Sequence, residues 1–247
     1  MELVGKVALV TGGARRVGRA IVLELARAGC DVVVHFGRSQ DDADSVVDEI
    51  RAMGRGAVSV SAPLEEPAAW KAIVDRAIGA FGRLDVLVNN ASAFLTDAPD
   101  TLEAFDPQLW ERMLRVNLLA PMGLCHHAAP HLSANGNGRI VNLLDIAVER
   151  PWSTHLAYVA SKAALASMTR ALAKALAPRV CVNGVSPGIA IFPEAYDEEL
   201  RRELVEKVPL KRAGTPEDIA RTVRFLVESG DYITGQIVNV DGGRSLG

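Results

Sequence analysis

Short apolar runs alternate with stretches of helical periodicity along nearly the whole chain, and no other feature limits its fold so strongly. The first run, KVALV (Lys6–Val10), leads into a glycine-rich turn and then RAIVLELARAG (Arg19–Gly29), helical in its spacing and closed by Gly. DVVVH (Asp31–His35) is a second run, followed by the helical SVVDEIRAMG (Ser45–Gly54). AVSVS (Ala57–Ser61) precedes PAAWKAIVDRAIGAFG (Pro67–Gly82), a helix with Pro near its start. LDVLVNN (Leu84–Asn90) comes before a long helical region over 107–132. NGNGRIVNLL (Asn135–Leu144) turns into a fifth strand, and HLAYVASKAALASMTRALAKALAP (His155–Pro178) is a long helix stopped by proline. VCVNGVSPG (Val180–Gly188) is the sixth strand with its exit loop. Thr215 caps the helix PEDIARTVRFLVES (Pro216–Ser229), and QIVNVDGG (Gln236–Gly243) is a closing strand.

Strands that are apolar throughout must be covered on both faces. With helices between them they predict an α/β fold, a doubly wound Rossmann-type parallel sheet of about seven strands. No linker, repeat or low-complexity tract divides the 247 residues, so 1–247 is expected to be one domain. The segment 189–212 breaks the rhythm with Phe192, Pro193, Tyr196, Pro209 and an acidic helix-like piece. Ligands of such a fold bind beyond the carboxyl ends of the strands, which makes 189–212 a candidate substrate lid.

The formal charge of −3 gives no global basic surface for nucleic acid or an anionic membrane. Cys30, Cys125 and Cys181 are odd in number and far apart, which fits a reducing compartment rather than a disulfide frame. No apolar run reaches transmembrane length, so a cytoplasmic location is expected. His126, His127 and His131 share a helical stretch but lack a carboxylate partner nearby, so no metal is expected. Trp70 and Trp110 read as packing residues; Trp152 fits either packing or a pocket mouth.

Between the first strand and helix lies TGGARRVGRA, Thr11–Ala20. Gly12, Gly13 and Gly18 let backbone approach a pyrophosphate, and the helix start offers free N–H groups. An ordinary tight turn has the same composition; the place after the first strand of a parallel sheet favours the nucleotide. A carboxylate about 20 residues on would mark NAD. Here the second strand ends in HFGRS, without an acid until Asp41. Arg38 and Ser39, with His35 as a further candidate, suit the 2′-phosphate of NADPH, and Arg16 adds charge nearby.

Tyr158 and Lys162 stand at i and i+4 on one helix face. An ammonium beside a phenol favours phenolate, so the pair is expected to relay a proton near neutral pH. Surface helices hold such a pair by chance, but TGGARRVG, VNNAS (Val88–Ser92), RVNLLAP (Arg115–Pro121), VNGVSPG and ITGQIVNVDGG accompany it. Together, from Lys6 to Gly243, these motifs resemble the short-chain dehydrogenase/reductase family. The resemblance implies that Tyr158 is the proton donor and that Lys162 holds the nicotinamide ribose. It implies that Asn117 keeps a water and a helix kink in the proton path, where a satisfied buried amide is the simpler alternative. It places Gly12, Arg16, Val17, Gly18, Leu64, Asn90, Ala91, Ser92, Pro187, Gly188 and Ile189 along the cofactor. It also implies a homotetramer, with the long helices and the closing strand at its interfaces.

Two departures narrow the match. Thirteen residues before the Tyr, where most of the family has Ser, stands Asp145; the second glycine of the first turn is Arg16. With HFGRS, NNASAF and KVPLKR these look like the pteridine reductase branch, which reduces dihydropterins and dihydrofolate with NADPH. Carried across, Arg16, Ser92, Phe94, Asp145 and Tyr158 would contact the pterin, Phe94 by stacking. The chemistry agrees: reducing a C=N bond puts hydride on carbon and a proton on nitrogen, and a carboxyl can deliver or relay that proton. A rate that falls as pH rises is the expectation. Pro63-Leu64, where the family often has Asp-Leu, removes a side-chain contact to adenine, and PGIAIFP lacks a hydroxyl common after PG. Two alternatives remain: a carbonyl reductase of the 3-oxoacyl thioester type, and a non-catalytic NADPH-binding sensor.

Overall fold

All seven apolar runs become strands, and every pairing between them is parallel. The computed structural model describes residues 1–94, 100–193 and 196–246. The strands are β1 (Val7–Val10), β2 (Asp31–Phe36), β3 (Ala57–Ser61), β4 (Val86–Asn89), β5 (Gly138–Leu143), β6 (Val180–Pro187) and β7 (Ile237–Val240). They lie in the order β3-β2-β1-β4-β5-β6-β7. The chain therefore reverses direction across the sheet between β1 and β4, where Val10 stands level with both Val34 and Val88. The connections that follow β1 and β4 run to opposite faces of the sheet and leave a crevice at the carboxyl ends of the strands.

The helices are α1 (Arg16–Arg27), α2 (Gln40–Ala52), α3 (Pro67–Phe81), α4 (Pro107–Leu114), α5 (Ala120–Ala134), α6 (Leu156–Leu176), α7 (Glu198–Glu206) and α8 (Pro216–Glu228). One layer packs Ile21, Leu25, Val46, Ile50, Val223 and Val227 onto Ala8, Val10, Val32, Val34 and Val88. The other packs Ile73, Ala77, Leu124, Ala128, Leu132 and Leu172 onto Val7, Leu9, Val33, Leu87, Ile140 and Val182. Neighbouring strand residues thus feed opposite faces, and both faces need apolar side chains, each worth about 1.5–3 kcal/mol when fully buried.

Helix boundaries differ from the periodicity. α1 starts three residues before Arg19, because its first turn is polar and carries the glycine loop into the helix. α2 begins at Gln40, well before Ser45; Asp41 and Asp42 favour the positive end of its dipole but carry no apolar signal. The region 107–132 is two helices, α4 and α5, joined by a π turn at Arg115–Leu119. Thr215 caps α8 as expected, in a reciprocal capping box with Asp218.

Candidate functional site

At the crevice, Thr11 binds the two central strands together. Its hydroxyl accepts the N–H groups of Asn90 and Ala91, each at 3.0 Å. The Asn90 amide returns bonds to the carbonyls of Thr11 (2.8 Å) and Gly12 (3.2 Å). Asn90 and Ala91 are therefore committed to shaping the glycine turn, and Thr11, which the motif reading passed over, is its hub. A Cβ on Gly18 would lie 2.0 Å from the Gly12 carbonyl oxygen, so only glycine closes the turn. Arg16 occupies the left-handed region at φ 53, a conformation easier for the glycine that most of the family has there.

This turn fits a dinucleotide. Arg15 at the α1 N-cap makes no side-chain capping bond, and the first turn holds no acid. The early N–H groups and the positive end of the dipole are left for an anion such as a pyrophosphate. Arg38 is exposed and Ser39 half-buried just past the end of β2. His35 departs from its expected role. Its ring is buried, accepting from Gly12 N–H at Nδ1 (3.3 Å) and pairing with the Ala62 carbonyl at Nε2 (3.0 Å). Burial also pushes its pKa down. A neutral imidazole with both nitrogens in use supports the glycine turn and has no charge to give a phosphate. Leu64 is buried, and its carbonyl accepts the Trp70 indole N–H at 2.9 Å, consistent with Trp70 as a packing residue.

The four expected catalytic residues come together beyond β4 and β5. α6 presents Tyr158 and Lys162 one turn apart, both buried. Lys162 Nζ donates to the Leu143 carbonyl (2.8 Å) and lies 5.7 Å from the Tyr158 ring centre. Asp145, two residues past β5, caps a short 3-10 turn (Ile146–Val148) through Oδ1 and the Ala147 N–H (2.8 Å). Its Oδ2 accepts from the Tyr158 hydroxyl (3.1 Å). Asn117 sits in the π turn. Its Oδ1 accepts from Ala93 N–H (2.7 Å) and Ser92 Oγ (3.2 Å), and its Nδ2 donates to Ala93 O and Ser161 Oγ, both at 3.0 Å. The extra residue of the π turn is the kink, and the satisfied amide ties the segment after β4 to α6.

Electrostatically the site differs from the expectation of a Lys-lowered phenol. Burial first, then the charge and hydrogen bond of Asp145, push Tyr158 well above its ordinary value. Lys162 does not offset this, because its ammonium is turned to the Leu143 carbonyl. Burial lowers Lys162 to about 8 despite the attraction of Asp145. Asp145 is itself raised by burial, opposed in part by the Ala147 N–H, Lys162, Tyr158 and Arg244. At neutral pH the site holds a neutral phenol donating to a carboxyl of raised proton affinity.

One wall of the cleft is aromatic. Phe94 is 38% exposed; its ring lies edge-on to Tyr158 with centres 4.8 Å apart and is stacked on His155 at 5.0 Å. Trp152 stacks on Tyr158 at 5.9 Å and 10° between planes, which places it at the pocket rather than in the core. His155 carried no signal in the motifs; its position one turn before Tyr158 is the only sequence cue. Gly188 receives the end of β7: its N–H donates to Val240 O (3.0 Å), and a Cβ there would meet Asp241 at 2.8 Å. Pro187 ends β6, and the Ile189 carbonyl accepts from Gly214 N–H (2.8 Å). The excursion 189–212 therefore leaves and returns at one point; residues 194 and 195 of it lie outside the described residues. Among the described residues no group of three or more His, Cys, Asp or Glu could hold a metal, and no helix is long and apolar enough to cross a membrane.

Residues 12–245 match the family model described as enoyl-(acyl carrier protein) reductase. The chain is 36% identical over 244 residues to the 3-oxoacyl-[acyl-carrier-protein] reductase FabG of Staphylococcus aureus, covering 96% of this chain and 97% of that one. The crystal structure of FolM alternative dihydrofolate reductase 1 from Brucella canis, complexed with NADP, superposes with a TM-score of 0.93 at 37% identity, covering 100% of this chain and 96% of the other. A blue fluorescent protein from a metagenomic library, in complex with NADPH, gives 0.91 and 37%, covering 99% of each chain. With these likenesses over nearly its whole length, and with the Tyr, Lys and Asn in place at the crevice, the chain belongs to the short-chain dehydrogenase/reductase family of oxidoreductases.

Proposed function

We propose that this oxidoreductase uses NADPH to reduce a C=N bond of a dihydropterin or dihydrofolate to the tetrahydro form. The observation that carries the reading is the Asp145 carboxyl bonded to the Tyr158 hydroxyl at 3.1 Å, where a ketone reductase of this family has a Ser. Bound NADPH supplies the hydride. Arg38 and Ser39 hold its 2′-phosphate, the turn at Gly12, Arg16, Val17 and Gly18 its pyrophosphate, and Lys162 its nicotinamide ribose. Asn90, Ala91, Pro187, Gly188 and Ile189 line its path. Phe94 stacks on the flat substrate ring, and Ser92 and Arg16 contact its edge. Hydride reaches ring carbon, so ring nitrogen must gain a proton. Tyr158 and Asp145 form a relay pair for that proton, and burial raises the proton affinity of Asp145. The likeness to FolM, named as a dihydrofolate reductase, supports the same substrate class.

A second reading, 3-oxoacyl thioester reduction, is favoured by the likeness to FabG. An NADPH oxidation assay across dihydrobiopterin, dihydrofolate and an acetoacetyl thioester separates the two. Turnover of the pterin or folate, lost in Asp145→Ser with NADPH binding retained, is expected. Turnover of the thioester alone would overturn the proposal.

The reading includes assembly as a homotetramer. β7 pairs only with β6 among the described strands, and Phe225, Leu210 and Leu246 are exposed beside it. An unpaired edge flanked by apolar side chains is a surface that a second copy can cover. Light scattering at a monomer mass would refute it.

A further inference from the structure

Catalytic helix α6 begins without a cap of its own. His155, its N-cap residue, makes no side-chain capping bond and is held in the left-handed region at φ 58 and ψ 43. Two hydrogen bonds that secure this start come from a residue far away in sequence. The Asp100 carbonyl accepts the His155 N–H at 2.8 Å, and Asp100 Oδ2 accepts the Ala157 N–H at 2.7 Å. Asp100 is 5% exposed. A carboxylate so withdrawn from water needs donors, and the free N–H groups and positive pole of α6 supply them.

The strained residue is also the one that builds the pocket wall. The His155 ring stacks on Phe94 at 29° between planes and meets Trp152 edge-on, with centres 6.0 Å apart. A left-handed conformation at a side chain with a Cβ persists only where its surroundings impose it. Without it, the His155 side chain would leave α6 in another direction, and the wall formed with Phe94 and Trp152 would lose a member. Asp100 belongs to the same stretch between β4 and α4 that carries Ser92 and Phe94. Its two bonds therefore tie the residues just before α4 to the start of α6.

We propose that Asp100 is a positioning residue that sets the aromatic wall of the substrate cleft by fixing the backbone of His155. The inference rests on the proposed function only for the identity of the ring that the wall receives.

The test combines amide exchange with a double-mutant cycle. In the apoprotein, Asp100→Ala, which keeps the main-chain carbonyl but removes Oδ2, should speed exchange of the Ala157 amide by about tenfold or more, while Asp100→Asn, which keeps an acceptor oxygen, restores most of the protection. Kinetics are run on whichever of dihydrofolate or an acetoacetyl thioester the wild type reduces, so the pterin reading is decided separately. Asp100→Ala should raise KM about tenfold with Kd for NADPH unchanged. In a His155→Ala background the same change should alter KM by less than about twofold, because the two act as one unit. If Asp100→Ala does not fold, Asp100→Glu, which displaces the carboxylate by one methylene, carries the same expectations. Unchanged exchange at the Ala157 amide, or effects on KM that multiply independently, would overturn the proposal.

Discussion

Tyr158 gives its hydroxyl hydrogen to Asp145, Oη to Oδ2 at 3.1 Å, so the phenol and the carboxyl form one proton-holding unit. Burial raises both groups; the Asp145 charge opposes ionisation of Tyr158, while the Tyr158 hydroxyl partly offsets the rise of Asp145. Turnover that needs this unit protonated should slow as pH rises through the raised Asp145 value, since Tyr158 ionises higher still. The profile of kcat on a dihydropterin or dihydrofolate should therefore have a descending limb at a pH above that of an ordinary carboxyl, about 3.9. Asp145→Asn should remove that limb and lower kcat by about a hundredfold or more. A flat profile that is unchanged in Asp145→Asn would separate Asp145 from the chemistry.

The same burial has a stability consequence. Asp145 binds its proton more tightly folded than unfolded, so its contribution is full below the unfolded value and is lost as pH rises through the folded one. Lys162 works the other way. Its folded value near 8 lies below the unfolded one of about 10.4, so stability is present above that range and is lost as pH falls through 8. Lys162→Met removes a buried ammonium of matched length. Thermal unfolding should show Tm of this variant rising relative to wild type as pH falls from about 10 to about 7. A constant difference in Tm across that window would show that Lys162 titrates alike in both states.

How legible these groups were depended on where their partners lie. The strands announced themselves because a doubly covered sheet needs apolar residues at every position, as in Val7–Val10 and Val86–Asn89. Tyr158, Lys162 and Asn117 were legible through motif spacing, and Asp145 through its departure from it. Thr11, Asp100 and His155 were not, because their bonds join segments as much as 80 residues apart and leave no local pattern. His35 misled for the same reason: a residue at the end of β2 can face the cofactor or turn inward, and only the Ala62 carbonyl and Gly12 N–H decide which. The lowered Tyr158 failed because helical spacing says that Lys162 is near but not that its ammonium points at Leu143.

Arg38 and His35 should therefore separate cleanly. Arg38 is exposed just past the end of β2, with Ser39 beside it. A charge-assisted bond contributes about 1.5–3 kcal/mol, so Arg38→Leu should raise KM for NADPH by about tenfold to a hundredfold with little change for NADH. His35→Phe should instead weaken both cofactors alike and lower Tm, because it leaves the Gly12 N–H and the Ala62 carbonyl without their partner. A loss confined to NADPH in His35→Phe would return that ring to the 2′-phosphate.

Phe94 offers a last discrimination, between a wall that binds a ring and one that merely fills space. Its ring is 38% exposed, yet it meets Tyr158, His155 and Trp152. An aromatic pair contributes about 0.5–1.5 kcal/mol beyond area burial, so Phe94→Leu, which keeps most of the bulk, should raise KM for a flat pterin by about twofold to tenfold. A small ketone gains nothing from stacking and should be turned over as before. Because Phe94 donates no proton, kcat should hold for both substrates and the pH limb set by Asp145 should stay in place. Equal losses on the pterin and the ketone would mean that Phe94 supports the fold of the cleft rather than the ring within it.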